Sequence, residues 1–191
     1  MTAEQADGLG RELAEAAALA RTLEEDFQPA ELSTPPSPGA WSAADNLVHL
    51  TLSSQALIPR MTRTLAKLAD ARRRTEGPSP PDWVGRLYAW ILEPPVRLKA
   101  RAPRAFVPPG GASAAEAVPA FLVEQERVVA LLKQCVGLDL ASRKVPSPVS
   151  RYVRHNVCAA FHILAAHQRR HLWQARRAAL AVRAAATGER T

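Results

Sequence analysis

The fold of this chain is decided by residues 156–186, NVCAAFHILAAHQRRHLWQARRAALAVRAAA. Good helix formers dominate this stretch, which contains neither glycine nor proline. Mostly small or apolar residues recur at three- and four-residue spacing, namely Ala160, Leu164, His167, His171, Gln174 and Ala178. Such a stripe is typical of a helix face that looks into a bundle. The stretch therefore predicts one long helix that begins at Arg151 or Asn156.

Three further stretches show the same spacing of apolar residues. They run from about Glu4 to Phe27, from Ser42 to about Arg73, and from Ser113 to just before Gly137. Ser42 with Asp45 predicts a capping box at the second of these helices. Ser113 with Glu116 predicts another at the third. A shorter amphipathic helix is predicted from Asp82 to about Glu93.

Connections rich in proline separate these helices. Residues 29–39 and 144–150 are predicted loops, because proline cannot continue a helix interior. The connection from Pro94 to Gly111 is long enough for a crossover or a functional cover. Four long helices with extended crossovers predict an all-α four-helix bundle, in a single domain over residues 1–191.

Charge and cysteine content argue against several classes of protein. The 25 Lys and Arg residues exceed the 18 Asp and Glu residues, for a net charge of +7. The basic residues are scattered and accompany no nucleic-acid-binding signature, so no nucleic-acid partner is predicted. No apolar run approaches the roughly 18 residues of a membrane span, and the first residues are polar and acidic. Cys135 and Cys158 lack a CxxC spacing, so we interpret them as buried, reduced thiols of a cytoplasmic protein.

Three histidines form a candidate metal site. His167 and His171 stand four residues apart, so both imidazoles project from one side of their helix. His49 on the second long helix is the candidate third ligand, whereas His162 lies well round its helix and is left out. Three neutral imidazoles leave positions open for water or substrate and suit Zn²⁺, Ni²⁺ or Fe²⁺. Histidines at this spacing also occur on solvated helix faces, and the spacing alone leaves that alternative open.

Polar and aromatic residues near these histidines have predicted supporting roles. Asp45, one turn before His49, is the predicted catalytic residue and would orient that ring or a bound water. Gln174 is a second candidate for such a role. Trp41 and Trp173 are interpreted as packing aromatics.

Two segments carry a family resemblance. Residues 38–50, PGAWSAADNLVHL, and residues 167–174, HQRRHLWQ, resemble the two signature segments of the DinB-like superfamily. The resemblance runs in order along nearly the whole chain. It implies a four-helix bundle of up-up-down-down connection with long crossovers, and a divalent metal on His49, His167 and His171. Residues 72–111 resemble a connection in which an apolar, proline-rich segment crosses the bundle.

The resemblance also implies an activity. The superfamily includes bacillithiol S-transferases and mycothiol-dependent maleylpyruvate isomerases, which implies a metal-dependent detoxifying enzyme with a low-molecular-weight thiol and a small-molecule substrate. Arg170 or Arg154 would hold the carboxylates of the thiol. One alternative is a metal-dependent hydrolase, whose general base would be Asp45, Glu124 or Glu126. Another is a non-enzymatic, metal-binding bundle that forms a homodimer.

Overall fold

The computed structural model of the chain describes residues 1–95, 98, 101–150 and 152–188. The helices are α1 (Ala3–Asp26), α2 (Pro29–Ser33), α3 (Ala43–Asp70), α4 (Trp83–Leu92), α5 (Ala114–Lys133) and α6 (Val157–Thr187). A 3-10 turn (Arg104–Phe106) precedes α5, and the strands β1 (Lys144–Pro146) and β2 (Arg154–Asn156) form an antiparallel hairpin before α6. The predicted all-α class is confirmed.

The four long helices α1, α3, α5 and α6 form the bundle. Helix α3 packs against α5 and α6, and α1 packs against the same two helices. Within the described ranges α1 and α3 do not pack on each other, so they lie diagonally across the bundle. The C-terminal half of α1 shares one buried cluster with the N-terminal half of α3, so residues 27–42 connect the two helices across one end of the bundle. Helices α1 and α3 are therefore antiparallel, whereas the up-up-down-down connection implied by the resemblance would make them parallel. Helix α4 packs along α6.

The site-bearing turns of α3 and α6 are anchored by the hydrophobic core. Leu47 and Leu50 of α3 pack in one buried cluster with Leu172 and Ala175 of α6. Each buried leucine contributes about 1.5–3 kcal/mol. A pair of buried amides, Gln125 of α5 and Gln168 of α6, donate to each other's side-chain oxygens. Because a buried amide must be satisfied, this pair fixes the rotation of α6 beside His167.

Two of the predicted connections contain regular structure. Residues 29–39 were expected to form a loop, but Pro29–Ser33 forms the short helix α2. Proline is compatible with the first position of a helix, and the Glu31 carboxylate accepts from the Gln28 backbone N–H at 2.7 Å. Similarly, the predicted loop over residues 144–150 begins with strand β1.

The predicted helix starts at Ser42, Ser113 and Asn156 were right, but one of the two predicted capping boxes was wrong. Ser42 and Asp45 form the expected capping box, and the Asn156 side chain accepts from the Ala159 N–H at 2.8 Å to start α6. Arg151, the other predicted start of that helix, lies outside the described residues. The predicted box of Ser113 with Glu116 is wrong, because the Ser113 side chain makes no capping hydrogen bond. The hydroxyl of Ser33 accepts from the first N–H of α5 instead, at 3.1 Å.

Both cysteines are free and buried, as predicted. Burial raises the pKa of the Cys135 thiol to about 12 and that of the Cys158 thiol to about 11. Both are therefore neutral at pH 7. Among the described residues, no helix has the length and apolar composition needed to cross a membrane.

Gly85 allows the close approach of α4 to α6. A Cβ atom at this position would lie 2.1 Å from the Cβ of Ala159, and both atoms are attached directly to backbone. We expect Gly85→Ala to destabilise the fold by about 3 kcal/mol, because neither helix can yield locally. Gly10→Ala in α1 is the matched control, since its Cβ would meet nothing within 4 Å. It should stabilise by about 0.5–1 kcal/mol, and thermal melting of both variants checks the pair. Equal melting temperatures would contradict the close approach.

Candidate functional site

The structure brings His49 of α3 together with His167 and His171 of α6. One ring nitrogen from each lies within 4.8 Å of the others. His49 and His171 are only 5% and 8% exposed, and His167 is half-buried. Within the described part of the chain, no carboxylate or cysteine joins this group of donor atoms. The three predicted ligands therefore form a nitrogen-only cluster inside the bundle.

The orientation of His49 is set by a backbone carbonyl. Its Nδ1 lies 2.6 Å from the carbonyl oxygen of Phe106, in the 3-10 turn before α5. A carbonyl can only accept, so Nδ1 carries the proton and donates. Burial lowers the pKa of His49, and the ring is neutral at pH 7. Its Nε2 lone pair therefore faces the centre of the cluster.

The orientation of His171 is set by the side chain of Asn46. The Asn46 amide nitrogen donates to the carbonyl oxygen of Ser42 at 2.9 Å, which leaves its Oδ1 to face His171. That oxygen accepts from the Nδ1 of His171 at 2.9 Å. His171 is neutral as well, because burial lowers its pKa. Its Nε2 is thus the free acceptor nitrogen, as in His49.

His167 closes the cluster. Its Nε2 lies 3.1 Å from the Nε2 of His49, and its ring centroid is 4.6 Å from that of His171. Burial, with the nearby His49 and Arg170, lowers the pKa of His167 to about 3. All three imidazoles are consequently neutral at pH 7, with one ring nitrogen free to bind a metal.

Comparison with known proteins identifies the family. A model of the DinB superfamily matches residues 12–175, most of the chain. The chain belongs to the DinB superfamily. No curated protein and no solved structure gives a significant match. The DinB match includes the three histidines and both segments on which the resemblance rested.

The residues present in this DinB-superfamily chain fit a divalent metal ion. Two of the three imidazoles are held by oxygen acceptors on their outer nitrogens, which is the support usual for histidine ligands. Three neutral nitrogens suit Zn²⁺, Ni²⁺ or Fe²⁺ and leave coordination positions for a substrate atom. The cluster can therefore hold a metal, as is typical of the DinB superfamily.

Asp45 has a structural role that its sequence position also predicts. One carboxylate oxygen accepts from the Ser42 N–H at 2.9 Å and completes the capping box of α3. Its other oxygen is buried and has no hydrogen-bond partner among the described residues. Because Asp45 is not one of the clustered donors, its catalytic role in this DinB member stays a prediction.

The other acidic candidates and the candidate arginines are hydrogen-bonded elsewhere, exposed, or placed in the β-hairpin. Glu124 accepts from Gln55 and Arg127, and Glu126 is exposed on α5. Arg170 is buried under α4 and donates to the carbonyl oxygens of Ile91 and Leu98. Arg154 lies in β2. Neither of the two glutamates belongs to the donor cluster.

Sequence reasoning missed two parts of this DinB site. Asn46 precedes His49 by three residues, so its place on the same side of α3 was detectable from the spacing. The Phe106 carbonyl had no such signal, because any residue can offer a backbone oxygen. Trp41 was interpreted as a packing aromatic, and its ring packs 5.0 Å from that of His49 and 6.0 Å from that of His171.

Proposed function

We propose that this protein is a divalent-metal-dependent S-transferase, which joins a low-molecular-weight thiol to an electrophilic small molecule in the cytoplasm. The observation that carries the proposal is the cluster of three neutral imidazoles, which has no carboxylate among its donors. Such a donor set favours a soft additional ligand such as sulfur more than a set with carboxylates does. Membership of the DinB superfamily supports the same chemistry.

His49, His167 and His171 would hold the ion. A divalent cation would supply one thing here, a lower pKa for a coordinated thiol. The carbonyl of Phe106 and the amide of Asn46 hold two rings in the tautomers that present Nε2. In the transfer, the thiol proton passes to solvent and the sulfur forms a bond to the electrophilic carbon. The leaving group departs with the electron pair of its former bond.

The nucleophile in this proposal comes from the cosubstrate. Cys135 and Cys158 are buried, and their raised pKa values keep both thiols protonated. Neither therefore supplies a thiolate. Hydrolysis is less well supported, because an activated water needs a general base and no carboxylate of the described residues lies in the cluster.

The test is thiol consumption by metal-loaded protein. Zinc-, nickel- and iron-loaded samples are mixed with bacillithiol, mycothiol or cysteine, and 1-chloro-2,4-dinitrobenzene reports the thioether by absorbance. Full ionisation of a thiol of ordinary pKa raises the thiolate fraction at pH 7 by about 30-fold. We expect a rate increase of that order, lost in metal-free protein. Epoxides are tested as a second class of electrophile. If the thiol is lost only at the uncatalysed rate with every metal, thiol and electrophile, the transferase function is contradicted.

A further inference from the structure

Among the described residues, one arginine of α6 lacks the hydrogen-bond acceptors that the other four have. Four of the five have acceptors: Arg169 pairs with Glu12 and Glu93, Arg170 with two carbonyls, Arg176 with Asp26 and Arg183 with Glu31. Arg177 has neither a hydrogen-bond acceptor nor an ion-pair partner within the described residues. Its guanidinium carbon lies 4.8 Å from the ring centroid of Trp173, one turn back along the helix. The charge is thus positioned by an aromatic ring and has no countercharge.

Arg177 lines a cavity of about 390 Å³. Trp41 and Trp173 provide aromatic surface in its wall, and Asn46 and Gln174 provide amides. This volume falls within the range of small-molecule sites, and the lining combines apolar area with a few polar groups, as such sites do.

The cavity adjoins the histidine cluster. Trp41 lines it and also lies against the rings of His49 and His171. Asn46 lines it and holds the Nδ1 of His171. The Arg177 side chain extends back along α6 and places its guanidinium over the ring of Trp173. Trp173 is only two residues beyond His171, so the guanidinium lies closer to the histidine cluster than the Cα of Arg177 does. Only the side chain of Trp41 or Asn46 would separate a ligand in the cavity from the imidazoles.

We propose that this cavity binds the carboxylate-bearing part of the thiol cosubstrate, with Arg177 as the anchoring residue. The inference rests on the proposed S-transferase function, whose site it extends. A guanidinium that covers a ring keeps its N–H donors in its own plane, where a planar carboxylate can accept two hydrogen bonds. The unpaired guanidinium of Arg177 would pair with one carboxylate of the thiol. The aromatic wall suits the carbon skeleton that carries the acid.

The experiment is isothermal titration calorimetry of zinc-loaded protein with two small thiols. Mercaptosuccinate carries carboxylates, and 1-thioglycerol carries hydroxyl groups instead. We expect Arg177→Gln to weaken mercaptosuccinate binding about tenfold and to leave 1-thioglycerol unchanged, because the lost contact is a charge-assisted hydrogen bond at an exposed residue. Arg176→Gln is the matched control: it removes the same charge from the adjacent position, but its guanidinium is bound to Asp26. It should bind both thiols as the wild type does.

A second titration separates this inference from the transferase function. Succinate, which has no thiol, is titrated into metal-free wild type and metal-free Arg177→Gln. If succinate binds Arg177→Gln more weakly than it binds the wild type, the cavity site is supported even if the protein consumes no thiol. Thiol turnover with wild-type affinity for mercaptosuccinate in Arg177→Gln would keep the function and overturn the anchoring role. The inference is also overturned if the wild type binds neither acid, if Arg176→Gln shows the same loss, or if inorganic phosphate binds more tightly than succinate.

Discussion

Replacing His167 with alanine is expected to reduce bound metal from about one equivalent per chain to less than about a tenth. His167 is the candidate ligand that lies against the other two, with its Nε2 3.1 Å from that of His49 and its ring centroid 4.6 Å from that of His171. Two imidazoles remain in the variant. The affinity should fall by more than about 100-fold, since even loss of a group that supports a ligand costs about 10–100-fold.

The measurement is elemental mass spectrometry of tag-free protein, reloaded at neutral pH and freed of excess metal. His162→Ala is the matched control, because His162 lies on the same helix and outside the donor cluster. It should retain the wild-type metal content. Far-ultraviolet circular dichroism should show that both variants keep the helical fold, since alanine is the best helix former. Equal metal content in wild type and His167→Ala would contradict the site.

Replacing Asn46 with leucine is expected to weaken metal binding about 10–100-fold, although Asn46 binds no metal itself. Its Oδ1 accepts the Nδ1 proton of His171 and so keeps the Nε2 lone pair of that ring directed at the cluster. Leucine has a similar size but no acceptor, so His171 can rotate or change tautomer. The carbonyl of Ser42 keeps one partner, because the backbone N–H of residue 46 also donates to it.

Asn46→Asp is the matched variant that keeps a hydrogen-bond acceptor for His171. A carboxylate accepts the Nδ1 proton at least as well as an amide and makes the imidazole more basic, so affinity should stay within about tenfold of wild type. Competition titration with a chromophoric zinc chelator measures all three proteins. If leucine and aspartate weaken binding equally, the hydrogen bond to His171 does not orient the ligand, and Asn46 acts only through packing.

The sequence predicted most of the bundle because its signals are local. Apolar spacing predicted the four long helices, and the pairs Ser42–Asp45 and Asn156–Ala159 lie where a helix start depends on residues three apart. The start of α5 after Ser113 was predicted, but its capping box was not formed, because the acceptor for the first N–H is Ser33, which is 81 residues away in the chain. Pro29 was interpreted as part of a loop because proline interrupts a helix interior. At the first position of a helix proline is compatible with the helix, and the sequence did not show that α2 begins at Pro29.

For the site, the sequence by itself determined which residue types could meet: a histidine pair one helical turn apart and a third histidine in a segment typical of the DinB superfamily. Only the tertiary structure decided how they are held. The acceptor for His49 is a carbonyl 57 residues away, and the acceptor for His171 is an amide 125 residues away. The tertiary structure also distinguished Arg177 from the other four arginines of α6, which have hydrogen-bond acceptors. Periodicity records which side of a helix a residue occupies, whereas hydrogen-bond partners and countercharges depend on which helices pack together.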